Sequence, residues 1–329
     1  MTAYLLGFGS HVPPRVVTNA ELAARVDRTP EWIEGASGIR ERRWADPETS
    51  VADLGVAAAE DCLARTGMSA SALGMVMVAS GSASRGFPGP AAEVAARLGL
   101  STVPAIDLPM ASAGSLFGLA LAMHLTETHG DILVIGAEKM SSVIEGAPPE
   151  ATPPKASSLD PNTAILFGDG AGAALVSSRP PSERAVRRWR MLDAAIHTDG
   201  QFRQELRWSP GAPLAMNGLS VILQASRKIP AAISEVLARQ GIAAGDVAVF
   251  LLHQANLNLI ARVAKSLGVP PEKMFTNVER YGNTSSASML IAAAEWAAAH
   301  PEGAPGPVVF AAFGAGYHWG AVVATEAAD

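Results

Sequence analysis

The chain has 329 residues, 49% of them hydrophobic and only 17% charged, which excludes a disordered or coiled-coil chain and a small scaffold dependent on staples. Twenty-five basic against thirty-one acidic residues give a formal net charge of −6, so there is no general positive field to hold nucleic acid or an anionic membrane, and neither is expected as a partner. Apolar runs such as 291–299 stop short of the ~20 residues of a bilayer span, and no basic-plus-hydrophobic leader pattern is seen, so a cytoplasmic location is expected.

In chain order, β-rich runs at 75–80, 103–107, 131–136, 171–177, 247–252 and 308–312 alternate with Ala-rich segments of helical apolar spacing at 52–66, 91–98, 115–126, 217–240, 258–267 and 287–299. The alternation predicts an α/β fold with a mostly parallel sheet between helical layers. Cys62, the single cysteine, sits in the first of these helices and reads as a buried core thiol; it rules out an internal disulfide and a thiolate-rich metal cluster. His124 and His129, five apart on one helix, face about 140° from each other at ~100° per residue and form no metal pair; no metal is expected. Leu166-Phe167-Gly168-Asp169-Gly170-Ala171-Gly172 and Ala312-Phe313-Gly314-Ala315-Gly316-Tyr317 echo each other near the ends of two halves, which suggests a duplication. The stretch 145–161, with five prolines, lacks apolar periodicity, and the charged stretch 180–190 reads as the crossing between halves 1–180 and 181–329.

Three segments place reactive side chains at strand-to-helix junctions. Ile106-Asp107-Leu108-Pro109-Met110-Ala111-Ser112-Ala113-Gly114 leaves a strand and enters a helix, setting Ser112 at a sharp turn suited to a nucleophile and equally to a simple helix cap. His253, in His253-Gln254-Ala255-Asn256, follows an apolar strand at the end where α/β sheets place catalysts; a core histidine is the plain alternative. Asn283 opens Asn283-Thr284-Ser285-Ser286-Ala287-Ser288 ahead of another helix, a run that also suits a cap.

These segments together resemble the β-ketoacyl-ACP synthase III family, condensing enzymes of the thiolase fold. The resemblance runs through Gly7-Phe8-Gly9-Ser10-His11-Val12-Pro13, Thr18-Asn19-Ala20-Glu21-Leu22, Glu31-Trp32-Ile33, Gly38-Ile39-Arg40-Glu41-Arg42, the 167–173 segment, His253 to Asn256, Tyr281-Gly282-Asn283-Thr284-Ser285 and Phe313-Gly314-Ala315-Gly316-Tyr317-His318-Trp319-Gly320. It implies a five-layer αβαβα fold of two similar halves, no permanently bound cofactor, and a coenzyme A or phosphopantetheine thioester as substrate, with acyl-CoA and acyl carrier protein as partners. It also implies a homodimer, with Phe87 reaching the partner's pocket. By the same resemblance Ser112 stands where the family carries its acyl-accepting cysteine, and His253 and Asn283 match the pair that polarises the malonyl carbonyl. Backbone N–H groups of Ser112 and Ala315 form the oxyanion hole, Trp32 stacks on the coenzyme A adenine, and Asn256, Phe87, Phe167 and Phe313 are substrate-binding. His197 is assigned structural support.

The departures matter as much. A helix end makes a cysteine partly thiolate, whereas a serine hydroxyl must hand its proton to a base, for which His253 is the candidate. A serine oxoester is also the poorer electrophile toward a carbanion. Two readings of Ser112 therefore stand side by side. In one it replaces a cysteine by design in an enzyme that condenses the acyl group with malonyl-ACP; in the other it is the natural nucleophile of an acyltransferase acting on an alcohol, amine or carrier protein. A scaffold subunit without catalysis is a third reading, disfavoured because His253 and Asn283 are both kept. Ala36, Asn162, Asn258 and Leu223 stand where basic partner contacts are usual, with Arg184, Arg187, Arg188 and Arg190 as substitutes, and Ala315 replaces an expected glycine. A dinucleotide site is set aside because 167–173 lacks the G-x-G-x-x-G order, and an α/β-hydrolase because Met110 occupies the first glycine of G-x-S-x-G.

Overall fold

Segments such as Asp131–Lys139 and Val308–Gly314 are buried along nearly their whole length, a pattern that requires cover on both faces of the sheet. The computed structural model, which describes residues 2–145, 159–179 and 189–327, supplies that cover. The first part runs β1 (Ala3–His11), β2 (Val16–Thr18), α1 (Asn19–Val26), α2 (Pro30–Ser37), β3 (Glu41–Arg43), α3 (Val51–Thr66), β4 (Leu73–Ala79), α4 (Pro90–Arg97), β5 (Ala105–Leu108), α5 (Gly114–His129), β6 (Asp131–Lys139), α6 (Met140–Glu145), α7 (Pro161–Ala164) and β7 (Asp169–Ser177). The second runs β8 (Trp189–Thr198), β9 (Leu206–Arg207), β10 (Ala215–Met216), α8 (Gly218–Arg239), β11 (Val249–Leu252), α9 (Leu257–Leu267), α10 (Val278–Tyr281), α11 (Ser288–Ala299), β12 (Val308–Gly314) and β13 (His318–Glu326).

The large sheet has the order β5-β4-β6-β7-β1-β8-β13-β12-β11. On one side of its middle, β1–β7 and β7–β6 are antiparallel and β6–β4 is parallel; on the other, β8–β13 and β13–β12 are antiparallel and β12–β11 is parallel. The two runs join where Ala3 to Leu5 pair with Met191 to Trp189. The expected mostly parallel sheet is thus corrected to a mixed one. Only strands linked by helical crossovers run parallel, whereas β12 and β13 are joined by the short turn Ala315 to Tyr317 and must be antiparallel neighbours. Sequence spacing located six strands and six helices within a few residues but missed β1, β8 and β13. Each of these carries glycine, charge or histidine among its apolar residues.

The core explains the layering. Helices α5 and α11 lie between the two runs of strands and share one apolar core with both, through Leu116, Leu119, Leu290, Phe310 and Trp189. Helices α3 and α4 cover the outer face of the first run, and α8 and α9 that of the second. Cys62 on α3 is fully buried, and desolvation pushes its thiol up to about 12, so it is an inert core group. Local signals set the helix ends: Ser50 and Asp53 form a reciprocal capping box at the start of α3, and Gly67 ends it in the left-handed conformation.

Where β6 passes under the turn 285–287, only glycine fits. A Cβ at Gly136 would sit 2.1 Å from the Ser286 carbonyl oxygen, a backbone atom that cannot swing aside. Gly136→Ala is therefore expected to lower stability by roughly 1–3 kcal/mol. A thermal melt would show it, and an unchanged Tm would contradict this close approach.

Candidate active site

Ser112 lies between β5 and α5 with φ of 65°, in the left-handed region that a non-glycine residue enters only under constraint. It does not cap the helix: the cap position of α5 is Ala113, which makes no side-chain capping bond, so the plain cap reading is corrected. The turn is wedged from two sides. A Cβ at Gly114 would come within 2.7 Å of the Ala79 side chain, and one at Gly314 within 2.1 Å of the Ala111 carbonyl oxygen. The tip of β12 is thereby held against the serine.

Opposite Ser112 stands Ser285, also strained, with φ of 47°. The Ser112 N–H donates to Ser285 Oγ at 2.9 Å, and the two hydroxyl oxygens are 3.4 Å apart. Asn283 is fixed next door: its N–H donates to the Leu166 carbonyl at 2.8 Å, and its own carbonyl accepts from the Gly168 N–H at 3.1 Å. Its Oδ1 accepts the Ser285 N–H at 2.8 Å, which leaves the Nδ2 group to present donors. Behind this turn the buried Glu138 accepts from the Ser286 N–H at 3.2 Å, from the Gly81 N–H at 3.0 Å and from the Ser82 hydroxyl at 2.6 Å.

His253 follows β11, its N–H donating to the Ala311 carbonyl at 2.8 Å. Its Nδ1 lies 2.6 Å from Ser288 Oγ. That hydroxyl accepts the Gln254 N–H at 3.0 Å and donates to the Ser285 carbonyl at 3.0 Å. When that hydroxyl donates to the Ser285 carbonyl, it accepts from Nδ1–H, and Nε2 carries a lone pair. Burial is the main cause pushing the imidazole down to about 4, against a smaller raising effect of a hydrogen bond to the Ser285 backbone. His253 is consequently neutral at ordinary pH.

Two spaces meet at Ser112. A channel of about 700 Å³, open mouth included, is lined by Ser112, His253, Asn283, Asn256, Phe167 and Phe313 among others. On the far side a chamber of about 830 Å³, also open to solvent, reaches Ser112, Phe167, Ser285 and Ala315. Ser112, His253 and Asn283 are 7%, 6% and 6% exposed, so all three meet the channel from a mostly buried position. Among the described residues no direct hydrogen bond joins the Ser112 hydroxyl to His253 or Asn283. Its amide, expected to face an oxyanion, donates to Ser285 Oγ.

Trp32 and Phe87 line neither space. Trp32 is 43% exposed on α2, with the Arg28 guanidinium 5.0 Å over its ring. That helix is tied to the channel wall, since Asn256 and Asn258 donate to the Ala36 carbonyl at 3.3 and 3.1 Å. Phe87 is 91% exposed. His197 takes a supporting place, bonded to Glu235 at 2.8 Å and stacked on Trp319. Arg184, Arg187, Arg188 and the proline-rich 146–158 lie outside the described residues. Sequence reasoning missed Ser285, Ser288 and Glu138. The run of small hydroxyl residues after Asn283 was the available signal, and it was read as a cap; the cap residue of α11, Ala287, makes no side-chain bond and the hydroxyls serve the site.

The fold and this constellation define a thiolase-fold acyltransferase. The family models for 3-oxoacyl-[acyl-carrier-protein] synthase III and for its C-terminal part match residues 106–200 and 237–325. The β-ketoacyl-[acyl-carrier-protein] synthase III of Oleidesulfovibrio alaskensis is 36% identical over 338 residues, covering 98% of each chain. The 3-oxoacyl-[acyl-carrier-protein] synthase III of Aquifex aeolicus superposes with a TM-score of 0.87 at 30% identity, covering 99% of this chain and 100% of that one. The priming β-ketosynthase of the R1128 polyketide pathway gives 0.87 at 31% identity, covering 99% and 96%. The chain belongs to the 3-oxoacyl-[acyl-carrier-protein] synthase III family.

The depressed titration of His253 has a direct readout. Between about 4 and its ordinary 6.5 the unfolded chain binds a proton there that the folded chain does not. Its contribution to stability is thus complete above 6.5 and lost as pH falls toward 4. A reaction that uses His253 as its base should hold a plateau down to about pH 5 and fall with a midpoint near 4. A pH–rate profile centred near 6.5 would contradict the buried neutral imidazole.

Proposed function

We propose that the protein takes an acyl group from a thioester of coenzyme A or of acyl-carrier phosphopantetheine onto Ser112 and passes it to an acceptor bearing an O–H or N–H. The observation that carries this reading is a serine hydroxyl, a neutral imidazole with an Nε2 lone pair and an amide donor lining one channel. The hydroxyl turns from Ser285, its oxygen adds to the thioester carbonyl, and its proton passes to His253 Nε2. The C–S bond breaks, and the departing thiolate takes the proton from the imidazolium, a strong acid in this buried setting. Asn283 Nδ2 and the Ala315 N–H meet the negative charge on the acyl oxygen. In the second half the same lone pair removes the acceptor's proton as it attacks the oxoester, the bond from the acyl carbon to Ser112 Oγ breaks, and the imidazolium returns the proton to that oxygen.

Condensation with malonyl-ACP is the second reading, favoured by family membership and by the donors of Asn283. It fits a cysteine at 112, whose thioester is the better electrophile. Whichever residue stands at 112, Nε2 with a lone pair is no donor when decarboxylation begins, so Asn283 would hold the enolate oxygen. We read Trp32, hung beside the channel by α9, as the contact for the coenzyme's adenine. Phe87 is read as a residue offered to a second copy in a homodimer. No helix among the described residues is long and apolar enough to cross a membrane, which suits work in the cytoplasm.

Intact-mass measurement after incubation with acyl-CoA should show one acyl adduct, absent in Ser112→Ala. His253→Ala should slow loading about 10²–10⁴-fold. Ser112→Cys should gain malonyl-dependent condensation, while the serine form acylates alcohols or amines. Neither adduct nor thiol release with any thioester would overturn the reading.

A further inference from the structure

The two spaces at Ser112 differ in chemistry. The channel wall contributed by α8 is aliphatic, made of Val221, Ile222, Ala225 and Ile229. The chamber on the other side combines Met110, Met140 and Leu214 with Arg207, Trp208 and His318, and no carboxylate among the described residues lines it. Arg207 lies on β9 and has no ion-pair partner among the described residues, although acidic groups pair with many other arginines of the chain. His318 opens β13. Its Nδ1 is 2.8 Å from Thr198 Oγ1, and its ring meets Phe117 of α5 edge-on at 5.5 Å. The other edge of the ring lies on Gly316, where a Cβ would come within 2.3 Å of Nε2; Gly316 is itself part of the chamber wall and has no side chain to cover that nitrogen.

A hydrocarbon tail in this chamber would set a guanidinium and an imidazole against apolar atoms, displacing their water with nothing in return. A carboxylate would receive two N–H bonds from the planar guanidinium and a further donor from the imidazole. Resting on the reading that residue 112 is acylated, we propose that the chamber selects a short acyl group whose far end is a carboxylate, the half-thioester of a dicarboxylic acid. Arg207 and His318 are its specificity-determining residues, and the methionines and Leu214 flank the methylene segment. The chain length is bounded by the chamber, since both polar groups share it with Ser112.

The test compares adduct formation by intact mass from succinyl-CoA and from isohexanoyl-CoA, which has the same branched outline and no charge. Succinyl loading should be faster by about tenfold or more at low salt, with the advantage shrinking as salt screens the pair. In Arg207→Gln, an exposed position on a two-residue strand, the succinyl-to-isohexanoyl ratio should fall several-fold, and further in the double variant with His318→Phe. Equal or faster isohexanoyl loading overturns this inference while leaving the nucleophile intact, as does a ratio unchanged in Arg207→Gln. Absence of adduct and of thiol release with both donors overturns the nucleophile reading and this inference together.

Discussion

The hydrogen bond from the Ser112 amide to the Ser285 hydroxyl is the joint on which the site depends. Each serine occupies left-handed backbone space, at a cost on the order of 1–2 kcal/mol, and each lies within three residues of the start of one of the two helices buried between the sheet's halves. The strain is tolerated because α5 and α11 are anchored in the central core along most of their length. The two turns are thus pressed together by packing remote from them. The joint also sets the state of Ser112: its amide is engaged, its hydroxyl oxygen is 3.4 Å from another hydroxyl, and the imidazole is a separate group on the same channel.

The second tier is polar and buried, which makes it sensitive. Glu138 ties the turn after β4 to the turn before α11 by accepting from Gly81, Ser82 and Ser286. Gln254 does the same between β11 and the approach to α10, accepting the Asn277 N–H and donating to the Leu252 carbonyl. In a low-dielectric interior such groups stabilise only when fully satisfied, so each fixes a unique arrangement of the loops that carry His253 and Asn283. Deleting one partner would leave the other unsolvated, which is costlier than the bond itself is favourable.

Much of this was legible in the sequence, and for identifiable reasons. Helices α3, α8 and α9 combine one-sided burial with clear caps, so their apolar spacing locates them within a residue or two. His253 and Asn283 were found because one follows a fully apolar strand and the other precedes an apolar helix, at junctions that the family resemblance also marks. What escaped was set by neighbours far along the chain. β8 is half-buried and irregular, because its pairing with β13 matters more than its own apolar content. Ser285 gains its role only from Ser112, 173 residues away, and Ser288 only from His253, so local reasoning defaulted to helix capping for both. The left-handed turn at 112 carries no glycine to announce it.

The direction of the Ser288 hydrogen links this geometry to the choice of chemistry. A single imidazole nitrogen faces the channel, and it is either a lone pair that takes protons or an N–H that steadies an oxyanion, never both in one step. With Ser288 donating to the Ser285 carbonyl, the nitrogen begins as an acceptor, which suits a serine that must lose its proton before it can attack. In the proposed transfer, the ring returns to the same state once that proton has left with the thiol, and is again suited to deprotonating an acceptor. A decarboxylating partner brings no proton to remove, so in that reading the Asn283 amide rather than the imidazole would hold the enolate oxygen. In the proposed acyl transfer the tautomer and the serine thus work in one direction, because a lone pair on Nε2 is what a hydroxyl nucleophile requires.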